Sequence, residues 1–138
     1  MTKDTTKFKT TPFVMKVEKP WGFELIFSDG TAQITSKILH INSDKRISLQ
    51  YHDVKEEIIT LVSGDSILHI ENNLGEVVKV NMELNKGYVI LPFQIHRLEA
   101  VTESEFFESS TVENGSTYRI EDDYNRGIET EEDRKKRV

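Results

Sequence analysis

Between Gly22 and Ser110 the chain breaks into nine short runs rich in β-branched and aromatic residues, none long enough for an ordinary amphipathic helix. They are Gly22 to Ser28, Ala32 to Ile41, Arg46 to His52, Ile58 to Val62, Ser66 to Glu71, Val77 to Met82, Tyr88 to Leu91, His96 to Val101 and Phe106 to Ser110. The breaks carry turn chemistry: Ser28-Asp29-Gly30, Ser63-Gly64-Asp65, Glu71-Asn72-Asn73, Asn85-Lys86-Gly87 and Asn114-Gly115. Many short strands at this spacing predict an all-β sandwich or barrel in which alternate residues face inward.

At 138 residues the chain fits one domain, and 36% hydrophobic residues suffice for a core. Residues 1–12, rich in Thr and Lys, read as a flexible arm, 13–127 as the folded domain, and 128–138 as a charged tail or short exposed helix. No cysteine is present, which excludes disulfides, thiolate metal sites and a cysteine nucleophile, so any metal must take N and O ligands. A net charge of -6 opposes a general nucleic-acid or anionic-membrane surface. With no leader-like or spanning apolar stretch, the expectation is a soluble cytoplasmic protein.

In Arg46-Ile-Ser-Leu-Gln-Tyr-His52 the two-residue strand period puts Ser48, Gln50 and His52 on one face. Such a polar stripe can face a barrel interior only if its groups find partners, because a buried polar group left unpaired costs about 1–3 kcal/mol. A metal ion is one such partner. Glu57 opens the next apolar run and His96 a later one, so two imidazoles, a carboxylate and an amide oxygen on neighbouring strands suit zinc, iron(II), manganese, cobalt or nickel. Spacing alone fits ordinary strand histidines as well. Glu56 competes with Glu57, whose distance to Ser63-Gly64 is the better match.

Gln50-Tyr-His52, Glu57, Ser63-Gly64, Gly87, Pro92 and His96 follow the order of the two-part cupin signature. More narrowly, the chain resembles the cupin domain of the type II phosphomannose isomerases. Five stretches carry that resemblance: Val17 to Gly22, Lys45 to His52, Val62 to Gly64, Ile95 to Glu99, and Glu121 to Arg126. It implies a double-stranded β-helix, or jelly-roll barrel, with a divalent metal held by Gln50, His52, Glu57 and His96, zinc being the first expectation. The Gln at position 50 matches this isomerase branch. The chain departs from the family at Lys55, which replaces an arginine, at Ile58, which replaces a histidine, and in lacking a glycine near Gln94.

The resemblance implies an aldose–ketose isomerase that interconverts mannose 6-phosphate and fructose 6-phosphate. Glu108, expected to face inward with Phe106, is the candidate base, and Arg97 is placed beside it in the catalytic set. Lys19, Arg46 and Arg126 are candidates for the phosphate. Structural ion pairs explain each arginine equally well. Other metal-cupin enzymes, including oxygenases and epimerases, and a sugar-binding cupin without turnover are the alternatives. Jelly-roll edges often pair between subunits, so a homodimer is expected. Trp21 reads as packing, His40 and His69 as ordinary strand residues, and Glu121, Asp122 and Asp123 as a solvated turn.

Overall fold

The computed structural model describes residues 2–136. Eleven strands form two antiparallel sheets. In chain order they are β1 (Met15–Lys19), β2 (Gly22–Ile26), β3 (Ile34–Ile41), β4 (Leu49–His52), β5 (Glu57–Ser63), β6 (Ser66–Glu71), β7 (Val77–Asn81), β8 (Gly87–Ile90), β9 (His96–Ala100), β10 (Ser104–Thr111) and β11 (Thr117–Glu121). One sheet runs β1-β2-β3-β10-β5-β8 and the other β11-β4-β9-β6-β7. The chain therefore crosses repeatedly between sheets, as a jelly roll requires. No helix among the described residues is long and apolar enough to cross a membrane.

Each of the nine sequence runs overlaps a strand; β2, β3, β4, β7 and β9 are shorter than the run that marks them, whereas β5 and β10 extend beyond it. The crossing from β5 to β6 turns at Gly64, whose φ of +91° favours glycine, and a Cβ there would lie 2.4 Å from the Glu103 carbonyl oxygen. At the β6–β7 turn the Asn72 side chain accepts hydrogen bonds from the Leu74 and Glu76 amides. The C-terminal segment folds as a short helix, α1 (Glu131–Lys135), whose Thr130 and Asp133 form a capping box. None of its residues is buried.

Strand alternation then divides the barrel interior along its length. One rung of the larger sheet places Leu39, Phe106 and Leu61 side by side, and all three are buried. With Trp21, Ile41, Ile47, Ile59, Leu68, Ile90, Leu98 and Ala100 they form the apolar core. The next rung places Lys37 beside Glu108, with Ile59 on its other side, and the one after it places Ser110 beside Glu57. These charged residues are as buried as the core, so one end of the barrel is apolar and the other is polar.

Candidate metal centre

Three strands converge at the polar end. His52 closes β4, Glu57 opens β5 and His96 opens β9, each at an inward position. Their ligating atoms all lie within 4.8 Å of one another. His96 Nε2 is 3.2 Å and His52 Nε2 3.6 Å from Glu57 Oε1, and the two imidazole centroids are 5.2 Å apart. Gln50 lies opposite His96 in the β4–β9 pairing and lines the same cavity, its Oε1 accepting from Ser48 Oγ at 2.7 Å.

The far nitrogen of each imidazole is already engaged. His96 Nδ1 donates to the Gln94 carbonyl at 2.9 Å, which leaves Nε2 as the lone-pair nitrogen, and His52 Nδ1 bonds the Thr117 hydroxyl at 2.9 Å. Neither Nε2 makes a hydrogen bond although both are buried. Glu57 Oε2 also lacks a hydrogen bond of ordinary geometry, with Lys55 Nζ at 3.1 Å as an ion-pair partner. Orphaned buried donors of this kind, aimed at one point and held by outer hydrogen bonds, suit a borderline divalent cation. Burial, reinforced by the Lys55 charge, pushes His52 down to about 4, so the imidazole is neutral and ready to coordinate. Burial alone would raise Glu57, but the Lys55 charge and the two imidazoles outweigh it and hold the carboxylate well below its ordinary value.

Beyond His52, Glu57 and His96 lies a largely buried charge network. Lys55 Nζ is 3.3 Å from Glu108 Oε2 and 3.5 Å from Glu113 Oε1. Lys37 Nζ is 3.6 Å from Glu24 Oε2 and 3.8 Å from Glu108 Oε2, and also bonds Glu113. Two ammonium groups thus face four carboxylates, Glu24, Glu57, Glu108 and Glu113, so acidic groups outnumber basic ones in this network. Burial, then the nearby Glu57 charge, raises Glu108 to about 7 despite both lysines. The network was missed in the sequence reading, yet it left a signal: Lys37 shares the inward face of β3 with Leu39 and Ile41, and Glu24 that of β2 with Ile26.

These groups line one cavity together with Trp21 and with Lys19, Arg119, Arg126 and Glu129, whose partial exposure marks its mouth. Its free volume of about 60 Å³ for water-sized occupants is several times what one ordered water needs. Of the sequence candidates, Gln50, His52, Glu57, His96, Glu108, Lys19 and Arg126 line it, whereas Arg97 and Arg46 do not. Arg97 follows the inward His96 and so points to the other face of β9, where it donates to the Ile47 carbonyl, the Glu121 carbonyl and the Glu121 carboxylate. Arg46 is displaced because Ile47 and Ser48 are both buried, which breaks the alternation; its guanidinium holds Asp123 at 2.7 and 2.8 Å. Both are structural struts, and the acidic stretch at 121–123 is their partner as well as that of Arg126, whose Nε donates to Asp122 at 2.9 Å. In the turn before β9, where the glycine is missing, Phe93 takes a φ of +67°.

No protein-family model and no curated protein matches the chain's sequence. Solved structures do match its shape. Oxalate decarboxylase from Bacillus subtilis superposes with a TM-score of 0.70 at 13% identity, covering 85% of this chain and 34% of that one. The oxalate decarboxylase of Lactobacillus farciminis gives 0.66 at 18% identity, covering 78% and 33%. The fold is the cupin jelly roll. The capsular polysaccharide assembling protein CapF of Staphylococcus aureus shares it as well, with a TM-score of 0.62 at 13% identity over 92% of this chain and 33% of that one. This cupin-fold chain spans about a third of the length of each of these proteins. At such identities the likeness speaks for architecture, and the chemistry has to be argued from the cavity.

Proposed function

We propose that the chain is a metal-dependent aldose–ketose isomerase acting on a sugar phosphate, with mannose 6-phosphate and fructose 6-phosphate as the substrate pair. The observation that carries this reading is the placement of Glu108 in the same cavity as His52, Glu57 and His96, beneath a mouth that bears Lys19, Arg119 and Arg126. Gln50, His52, Glu57 and His96 would hold the divalent ion. When bound, such an ion polarises the carbonyl and hydroxyl oxygens of the reacting carbons and makes the proton between them acidic.

Glu108 then serves as the base, taking the proton from C2 of the aldose and returning it to C1, while the O2 hydroxyl proton passes to O1, so that the C1 aldehyde becomes a hydroxyl and the C2 alcohol a carbonyl. A carboxyl raised to about 7 is poised for both directions near neutral pH. Lys55 and Lys37 fix its orientation, and the rim cations receive the phosphate. Supporting the substrate class are the five sequence stretches that resemble those of the phosphomannose isomerases, four of which contribute residues to this cavity: Lys19 and Trp21, Gln50 and His52, His96, and Arg126.

One observation favours a second reading, sugar-phosphate binding without turnover: Lys55 Nζ sits 3.1 Å from Glu57 Oε2, where its positive charge opposes a metal ion. A coupled assay of the metal-loaded chain decides between the two. Fructose 6-phosphate formed from mannose 6-phosphate, and lost in His52→Ala, supports the isomerase. Binding of mannose 6-phosphate with no turnover overturns it in favour of the binding module.

A further inference from the structure

The mouth of the cavity holds an acid among bases. Glu129 Oε2 lies 3.7 Å from Arg119 Nη2 and 3.9 Å from Lys19 Nζ, and all three side chains are largely buried, at 11–16% exposure. These two contacts are longer than a well-formed charge-assisted hydrogen bond. Arg126, tied to Asp122, lines the same opening. On its other oxygen Glu129 meets Arg134 Nε at 3.3 Å.

The segment that carries Glu129 is fastened by polar contacts. Two backbone hydrogen bonds join Glu129 to Thr117 at the start of β11, and Arg119 Nη1 donates to the Gly127 carbonyl at 2.7 Å. The following helix α1 buries no residue; the Gly115 amide donates to its Glu131 carboxylate, and Arg134 donates to the Gly115 carbonyl at 2.7 Å and the Glu113 carbonyl at 3.5 Å. Few buried contacts mark the parts of a fold that open first.

We propose that Glu129 occupies the anion subsite of the cavity mouth, standing in for the phosphate of a phosphate monoester, and that such a ligand enters by displacing Glu129 together with residues 128–135. Lys19 and Arg119 then exchange a carboxylate held at nearly 4 Å for phosphate oxygens that can be bonded directly. The C-terminal segment acts as a tethered competitor: it keeps the rim cations paired in the empty chain and sets the threshold a ligand must exceed. This inference rests on the reading of the mouth as a phosphate site, and its test is independent of turnover.

The experiment titrates inorganic phosphate into the metal-loaded full chain by calorimetry, with Glu129→Gln, Arg134→Ala and Lys19→Met alongside. Glu129→Gln removes the competing charge, while Arg134→Ala loosens the strap, its contact with Glu129 included, and leaves the rim cations Lys19, Arg119 and Arg126 unsubstituted. Both variants are expected to bind about tenfold more tightly, an ordinary size for coupling between two occupants, and Lys19→Met to bind more weakly than the parent. In the parent chain, phosphate should speed hydrogen exchange at the Thr117 and Glu129 amides. Unchanged or weaker binding in either Glu129→Gln or Arg134→Ala, or slower exchange at those amides, overturns the proposal. A chain that passes this test yet fails to interconvert sugar phosphates keeps the displaceable strap and loses the isomerase reading.

Discussion

His96 presents Nε2 to Glu57 Oε1 at 3.2 Å while its Nδ1 is committed to the Gln94 carbonyl. The strand β9 and the turn before it therefore fix both the position and the tautomer of the imidazole. A first prediction follows for stability. A saturating divalent ion should raise the melting temperature of the parent chain, by the equivalent of about 2.7 kcal/mol at a hundred times its Kd. His96→Ala should abolish that increment, as read by thermal unfolding with and without metal.

Glu108 gives a pH dependence. Its folded-state value of about 7 lies above the ordinary carboxyl value of 4.5, so the folded chain holds this proton more tightly than the unfolded one. The resulting stabilisation is complete below about pH 4.5 and is lost as the pH rises through 7. Turnover, which needs the ionised base, should climb over the same upper range. Glu108→Gln is expected to lower kcat by about 10²–10⁴-fold and to flatten that limb. A limb that survives in the variant assigns it to another group.

Lys37 is buried among Glu24, Glu108 and Glu113. Lys37→Met keeps much of its bulk but leaves buried carboxylates without their counter-charge, and should cost about 3–5 kcal/mol in urea unfolding. A loss below 1 kcal/mol would mean that water reaches this network.

Gly64 turns the chain between the sheets at φ +91° with no room for a Cβ, which would lie 2.4 Å from both the Glu103 carbonyl oxygen and the Ser104 hydroxyl. Gly64→Ala combines backbone strain with a steric clash. We expect a loss of at least about 2 kcal/mol in chemical denaturation, with metal affinity retained by the folded fraction.

Much of this was legible in the sequence because a strand's period of two is robust. The runs around Leu39, Leu61, Leu68 and Phe106 each coincide with a strand to within two residues at either end, and Gln50, His52, Glu57 and His96 share one cavity as their chemistry suggested. The strands β1 and β11 went unread because they are short, charged and half-exposed, and the apolar pairs Met15/Val17 and Tyr118/Ile120 are too brief to mark a strand. Arg97 was drawn toward the site by its residue type, although the alternation that turns His96 inward turns Arg97 away. Lys37 and Lys55 escaped for the opposite reason: a lysine in a strand or loop reads as surface, and only the four carboxylates gathered from distant parts of the chain make its burial tolerable. Glu129 reaches the cavity through a return of the C-terminal segment that no local pattern encodes.

Whether His52, Glu57 and His96 hold a divalent ion is decided by elemental analysis together with calorimetric titration of zinc, manganese, cobalt and iron(II). One ion per chain is expected in the parent, and none in His52→Ala or His96→Ala variants that remain folded by circular dichroism. A parent chain that binds no ion stoichiometrically, or binds it equally well without these histidines, has no metal centre at these residues.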